Sequence, residues 1–145
     1  MDFFSSMRVS ASGLDAQTKR INTISSNIAN AETTRGADGK AYRRKDPVIA
    51  AQTDRESFGE ILQNELDEHI QGVQVTEIHE DTRPPRMVYN PSHPDANADG
   101  YVAMPNVNTV EEMANMIQAQ RSYEANVTAM GAAKSMAQKA LEIGR

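Results

Sequence analysis

The chain has 145 residues, of which 39% are hydrophobic and 5% are aromatic, and it contains neither Trp nor Cys. The absence of Cys excludes a disulfide framework, thiolate metal sites and a cysteine nucleophile. The net charge of −5 is concentrated in residues 36–105, which carry −6, whereas residues 1–35 carry +1 and residues 106–145 carry 0. Nucleic-acid-binding proteins normally show a basic surface, so this balance disfavours that class.

The sequence also bears on membrane association and secretion. No apolar run approaches the roughly 18 residues of a membrane span, so no direct membrane insertion is expected. The start of the sequence lacks a basic segment followed by a long apolar one, so a cleaved secretory signal is not expected either.

Proline divides the chain into three segments. All six prolines lie in the middle, at positions 47, 84, 85, 91, 94 and 105. A proline inside a helix costs about 3 kcal/mol. Both ends can therefore form long helices, whereas the middle segment cannot.

The first segment predicts a helix over about residues 2–31. Its large apolar residues recur every seven positions, with one more at an intermediate position: Met7, Leu14, Ile21, Ile28 and Ile24. This narrow repeat is typical of a coiled-coil seam.

The last segment, residues 106–145, predicts a second long helix. Thr109 and Glu112 have the spacing of a capping box, which would start the helix. A mostly apolar line follows at spacings of three and four: Met113, Met116, Gln120, Tyr123, Val127, Met130, Lys134, Ala137 and Leu141. Gly131 indicates either a close approach of another helix or a tolerated surface glycine.

The middle segment predicts a small β-rich region with one short helix. The apolar residues of the stretch 54–70 suit an amphipathic helix: Phe58, Ile61, Leu62, Leu66 and Ile70. Four stretches suit short strands: residues 42–50, 73–78, 86–89 and 101–104.

Together these patterns predict a mainly α fold with a β-rich insert. The N- and C-terminal helices, within residues 1–35 and 106–145, would pair as an antiparallel coiled coil, with residues 36–105 as a separate insert. A hairpin with such narrow seams buries little apolar surface against an ordering cost of about 1–2 kcal/mol per residue. We therefore expect the helices to be fully ordered only when neighbouring copies cover their remaining apolar faces, as in a helical polymer.

Several motifs resemble those of the flagellar rod and hook axial proteins. Residues 11–17 (ASGLDAQ) and 22–31 (NTISSNIANA) are similar to the N-terminal motif of that family. The stretches that resemble proximal-rod members in particular lie later in the chain, at residues 89–97, 100–102, 104–108, 112–117 and 121–126.

The resemblance implies a structural role in motility rather than catalysis. Such a subunit would be exported through the flagellar type III apparatus and would self-assemble into the proximal rod in the periplasm, with its terminal helices lining the export channel and its insert facing outward. The implied partners are FlgB, FlgF and FlgG, then FliE and the membrane ring region, together with further copies of the same chain. No cofactor is implied.

The residues expected at the assembly interface come from both predicted helices. They are Met7, Leu14, Ile21, Ile24, Asn27, Ile28, Met113, Met116, Ile117, Tyr123, Val127, Met130 and Leu141. Asn27 is expected to form hydrogen bonds between helices of adjacent subunits, because Asn has poor helix propensity and its position needs another reason. Asn30 is expected to cap the end of the first helix.

Other functions were weighed against this one. Residues 95–100 match the opening of an EF-hand loop, but position 106 is Asn rather than Glu, so an Asn/Asp-rich turn is expected instead. The three histidines, His69, His79 and His93, have no metal-ligand spacing, and no catalytic constellation is evident. The main alternative is a coiled-coil binding module such as an export chaperone.

Overall fold

The computed structural model describes residues 3–36, 38–52 and 71–143. Helix α1 spans Phe3–Ala29 and helix α2 spans Thr109–Ile143. Between them lie four strands: β1 (Lys45–Ala51), β2 (Val73–Glu80), β3 (Arg86–Tyr89) and β4 (Tyr101–Met104). The prediction of two terminal helices around a β-containing middle region is confirmed. The predicted short helix over 54–70 lies outside the described residues.

The strands form two small sheets within the described part of the chain. Strand β1 pairs with β2, and β3 pairs with β4 in an antiparallel hairpin in which Arg86 faces Met104 and Tyr89 faces Tyr101. The rings of Tyr89 and Tyr101 meet edge to face, with their centroids 5.3 Å apart. Gly100 has a φ of 78°, and a Cβ at this position would also lie 2.9 Å from the Tyr89 ring. The turn before β4 therefore requires glycine.

The ends of the helices are fixed by local hydrogen bonds. The side-chain amide of Asn30 donates to the carbonyl oxygen of Ser26 at 2.8 Å, which confirms Asn30 as the C-terminal cap of α1. At the start of α2, the side-chain oxygen of Asn108 accepts a hydrogen bond from the backbone N–H of Val110 at 3.1 Å. Asn108 is therefore the N-cap. The predicted capping box of Thr109 and Glu112 is wrong, because Thr109 lies inside the helix and the Glu112 side chain is bonded elsewhere.

The chain divides into two compact units. The first contains the described parts of Met1–Lys19, Ile49–Thr76 and Gln120–Arg145, and the second contains the described parts of Arg20–Val48 and Glu77–Ala119. In the first unit, the Ser12 hydroxyl of α1 accepts a hydrogen bond from Val73 N–H, the first residue of β2, at 3.0 Å. In the second unit, polar side chains of both helices meet in a buried cluster.

Candidate assembly surface

A buried asparagine lies at the centre of the second unit. Asn27, on the last turns of α1, is 0% exposed. Its amide group donates to the carbonyl oxygen of Lys45 at 2.7 Å and to Glu112 Oε2 at 2.9 Å. Its side-chain oxygen accepts from Lys45 N–H and from the Tyr42 hydroxyl, both at 2.9 Å. These four bonds use the whole capacity of the amide.

The carboxylate of Glu112 is equally enclosed. The residue is 1% exposed, and its second oxygen, Oε1, accepts a hydrogen bond from Arg44 Nε at 2.8 Å. Arg44 also lies 3.3 Å from the Asp46 carboxylate. Burial alone lowers the pKa of Arg44, but the hydrogen bonds and charges of Glu112 and Asp46 outweigh burial and raise this pKa above its ordinary value. The buried charge is therefore both paired and hydrogen-bonded, as burial of an ion requires.

This cluster connects three parts of the chain rather than forming a reactive site. Asn27 belongs to α1, Arg44 and Lys45 to the start of the β region, and Glu112 to the first turn of α2. Because the Asn27 amide is saturated within its own chain, the expectation that it bonds to a neighbouring subunit is corrected. Its partner is the other helix of the same molecule.

Apart from Ile24, the nearly fully buried residues of the two helices are small or hydrogen-bonded. On α1 the residues that are nearly fully buried are Ala16, Thr23, Ile24 and Asn27, and on α2 they are Glu112, Ala119 and Ala133. In the first unit, a Cβ placed on Gly13 would lie 2.9 Å from the side-chain nitrogen of Asn126. A larger residue at position 13 would therefore require the Asn126 side chain to move.

The residues that make these contacts are sequence neighbours of predicted seam residues. Gly13, Asn27, Glu112 and Asn126 make the contacts described above, and each directly precedes a residue of the predicted seams. Of these seam residues, Leu14 and Ile28 have intermediate exposure, as Gly13 and Asn126 do, whereas Met113 and Val127 are exposed. The chain uses its compact side chains internally and leaves many of its large apolar ones at the surface.

Helix α2 carries a broad exposed apolar face. Its most exposed large apolar residues, with their exposed fractions, are Val110 (76%), Met113 (51%), Ile117 (53%), Val127 (47%), Met136 (66%) and Leu141 (76%). Single exposed apolar residues are normal on a protein surface, whereas a series along one helix is less common. We call the exposed members of the predicted interface, Met113, Ile117, Tyr123, Val127 and Leu141, the outer face of α2.

The remaining predicted interface residues are partly or fully covered. Ile24 and Asn27 are buried, whereas the others have intermediate exposure: Met7, Leu14, Ile21, Ile28, Met116 and Met130. Gly131 is open, since nothing lies within 4 Å of a Cβ built there. Within the described residues Gly131 is therefore not a point of close helix approach.

The Asp/Asn-rich segment before β4 is a turn, as expected. The side-chain oxygen of Asn97 accepts hydrogen bonds from the N–H groups of Asp99 and Tyr101, at 3.0 and 2.8 Å. Among residues 3–36, 38–52 and 71–143, no group of three His, Asp or Glu side chains could hold a metal ion. Over the same residues, no helix has the length and apolar character needed to cross a bilayer.

Sequence reasoning missed Arg44, Tyr42 and Glu112 as members of the buried cluster. A basic run such as Arg43-Arg44-Lys45 is typical of a solvated surface, yet the Arg44 side chain is only 20% exposed. One signal was present. Asn27 lies between Ile24 and Ile28, and Glu112 directly precedes Met113, and polar residues in such positions need a partner when they are buried.

Comparisons with known proteins agree with these observations. Residues 7–37 match the family model described as flagella basal body rod protein, and residues 98–143 match the model described as flagellar basal body rod FlgEFG protein C-terminal. The flagellar basal-body rod protein FlgC of Bacillus subtilis is 46% identical over 152 residues, covering 100% of both chains. The chain belongs to the FlgC family of flagellar basal-body rod proteins.

Other relatives carry the same description. FlgC of Borreliella burgdorferi is 45% identical, covering 99% of this chain and 98% of its own, and FlgC of Salmonella typhimurium is 40% identical, covering 94% of each. The chain is therefore a structural rod subunit of the bacterial flagellum and not an enzyme. This result decides against the export chaperone considered from the sequence.

Proposed function

We propose that the outer face of α2 is where neighbouring subunits pack when the rod assembles. Met113, Ile117 and Val127 expose about half of their surface, and Leu141 exposes 76%. Complete burial of such a side chain stabilises a contact by roughly 1.5–3 kcal/mol. The observation that carries this proposal is the separation of two faces on one helix, with small residues inside and large apolar residues outside.

We further propose that α1 and α2 pair antiparallel over their length. In the first unit Gly13 meets Asn126, and in the second unit Asn27 bonds to Glu112. The later of the two α1 residues, Asn27, contacts the earlier of the two α2 residues, Glu112. The two contacts are separated by the same number of residues on both helices. This arrangement supports an antiparallel coiled coil in which polar and small residues make the contacts between the helices.

The proposed architecture assigns residues 1–35 and 106–145 to the core of the rod around the export channel and residues 36–105 to an insert facing outward. The position would be the proximal rod in the periplasm, where the rod transmits torque. FlgB, FlgF and FlgG would be its rod neighbours, with FliE and the ring region below, and the flagellar type III apparatus would deliver the subunit. Family membership and the resemblance of the motifs support these assignments.

A motility experiment tests the role of the outer face. We expect Ile117→Asp, expressed from the native locus, to abolish swimming in soft agar, because a charge at the centre of an apolar contact is left without a partner. Ala129→Asp is the matched control, since Ala129 is exposed on the same helix but lies about 120° around the helix axis from Ile117. The control strain should swim.

A folding measurement accompanies the motility test. Circular dichroism of both purified variants should match the unsubstituted chain, because both positions are exposed and make no bond that the fold needs. Normal swimming of the Ile117→Asp strain would refute the proposal, as would equal loss of swimming in both strains.

A further inference from the structure

The second unit contains a cavity with a cationic lining in an acidic protein. Its volume is about 590 Å³, and it is enclosed by the segment after α1, the loop between β2 and β3, and the turn before β4. The basic residues that line it are Arg35, Lys40, Arg43, Arg44 and Arg83. Only two acidic residues, Asp81 and Asp95, line it.

The cations of the cavity are unequally neutralised. Arg83 is bonded to Asp81, and Arg44 is bonded to Glu112. Arg35 lies 3.7 Å from Asp95, whose carboxylate also accepts a hydrogen bond from the Thr34 hydroxyl. Lys40 and Arg43, both exposed, have no carboxylate within 4.0 Å in the described part of the chain. The cavity therefore carries a positive charge that its own walls do not balance.

The opposite charge is concentrated in one stretch of the sequence. Residues 54–68 contain six acidic groups and one basic group, a net charge of −5, which equals the net charge of the whole chain. Every other part of the sequence together is neutral. The stretch lies outside the described residues.

We propose that the cavity receives the acidic stretch 54–68 of a second copy of this chain. The lining suits a peptide better than a bare anion, because Ala41, Tyr42, Pro85 and Ala103 provide apolar wall beside the cations. The stretch offers the same combination, with Phe58 and Leu62 placed among its carboxylates. Opposite charges steer such a contact and fix its register, and they make it sensitive to salt.

This contact is independent of the outer face of α2, because the two surfaces share no residue. Association of the purified chain in solution therefore tests this contact separately from motility. Sedimentation velocity of the full chain should show concentration-dependent association at 50 mM NaCl, with the apparent affinity falling roughly tenfold at 500 mM NaCl as the charges are screened.

Charge reversal identifies the two sides of the contact. The cavity variant Lys40→Glu/Arg43→Glu and the stretch variant Glu65→Lys/Asp67→Lys should each be monomeric alone, because like charges then face each other. A mixture of the two variants should associate again, because the acidic cavity of one variant can bind the basic stretch of the other. Arg86→Glu/Arg121→Glu changes the charge by the same amount at exposed positions outside the cavity and should associate like the unsubstituted chain.

Three outcomes would overturn the proposal. The first is an unsubstituted chain that stays monomeric at all concentrations. The second is association that persists in the cavity variant. The third is a mixture of variants that remains monomeric, which would mean that the stretch docks onto its own chain or elsewhere. Circular dichroism of each variant confirms that the comparison is between folded chains.

Discussion

The buried carboxylate of Glu112 offers the sharpest test of how this fold is held together. In Glu112→Ala, the amide of Asn27 and the guanidinium of Arg44 lose their shared acceptor, at 2.9 and 2.8 Å, inside the second unit. Removing one partner of a buried ion pair costs about 3–5 kcal/mol. Arg44 keeps Asp46 at 3.3 Å and is 20% exposed. We therefore expect the lower end, a loss of about 3 kcal/mol in the free energy of unfolding.

The neighbouring residue supplies the control. Glu111 also lies in the first turn of α2, where a carboxylate interacts favourably with the helix dipole by about 0.3–1 kcal/mol, but it is exposed. Glu111→Ala removes that dipole contribution without opening the cluster, so it should cost no more than about 1 kcal/mol. The difference between the two variants isolates the buried contacts.

The measurement is urea unfolding followed by circular dichroism. Urea is preferred to guanidinium because it does not screen charges. A double-mutant cycle with Asn27→Ala should give a coupling of about 1–3 kcal/mol, since the two side chains share one hydrogen bond in a buried network. If Glu112→Ala costs no more than Glu111→Ala, or if the coupling is absent, the cluster does not stabilise the chain as described.

Two further outcomes are expected from the structure. Gly131→Ala should stabilise the chain by about 1 kcal/mol through helix propensity, because the surroundings of Gly131 are open. Gly13→Ala should lose this gain to the contact with Asn126 and become favourable only in an Asn126→Ala background. Urea unfolding measures both effects. Equal effects at both glycines would refute the close approach. The Asp81 carboxyl, hydrogen-bonded by Arg83, has its pKa lowered from 3.8 to about 2, so its contribution to stability is present above pH 3.8 and is lost as the pH falls through about 2. An NMR titration should show this low midpoint and its return towards 3.8 in Arg83→Ala, and an unchanged midpoint in that variant would contradict the assignment.

Local chemistry made the elements of the fold predictable from the sequence. The absence of Pro from both ends and the spacing of seven gave two helices close to those observed, Phe3–Ala29 and Thr109–Ile143. The stretches 86–89 and 101–104 were predicted as strands and are strands. Asn30 was predicted as a cap because asparagine bonds readily to nearby backbone groups, and it does so.

Which side chains of the helices are buried was not predictable on the same grounds. Pattern analysis assigns the largest apolar residues to the buried side, yet here Ala119 and Ala133 are buried and Ile117 and Val127 are exposed. Hydrophobicity measures only how strongly a side chain avoids water, and it does not tell whether its own chain or another one excludes that water. In a protein that assembles, the two cases look alike in the sequence.

The buried cluster escaped prediction for a different reason. Asn27, Arg44 and Glu112 are polar, and each alone is more common at a surface. Only their meeting in three dimensions makes them interior residues, and nothing in the spacing of positions so far apart indicates that meeting. The helix cap was likewise misassigned, because Asn108 and Thr109 are both good capping residues and only the backbone geometry chooses between them.

The sequence separation between the residues of the buried cluster affects when the chain can fold. Asn27 and Glu112 stand 85 positions apart. A nascent or truncated polypeptide that ends before Glu112 offers Arg44 only Asp46 as a counter-charge and leaves the second amide hydrogen of Asn27 without this acceptor. The second unit then cannot complete its buried hydrogen bonds, which is costly. The buried network of the second unit is therefore completed only when the start of α2 is present.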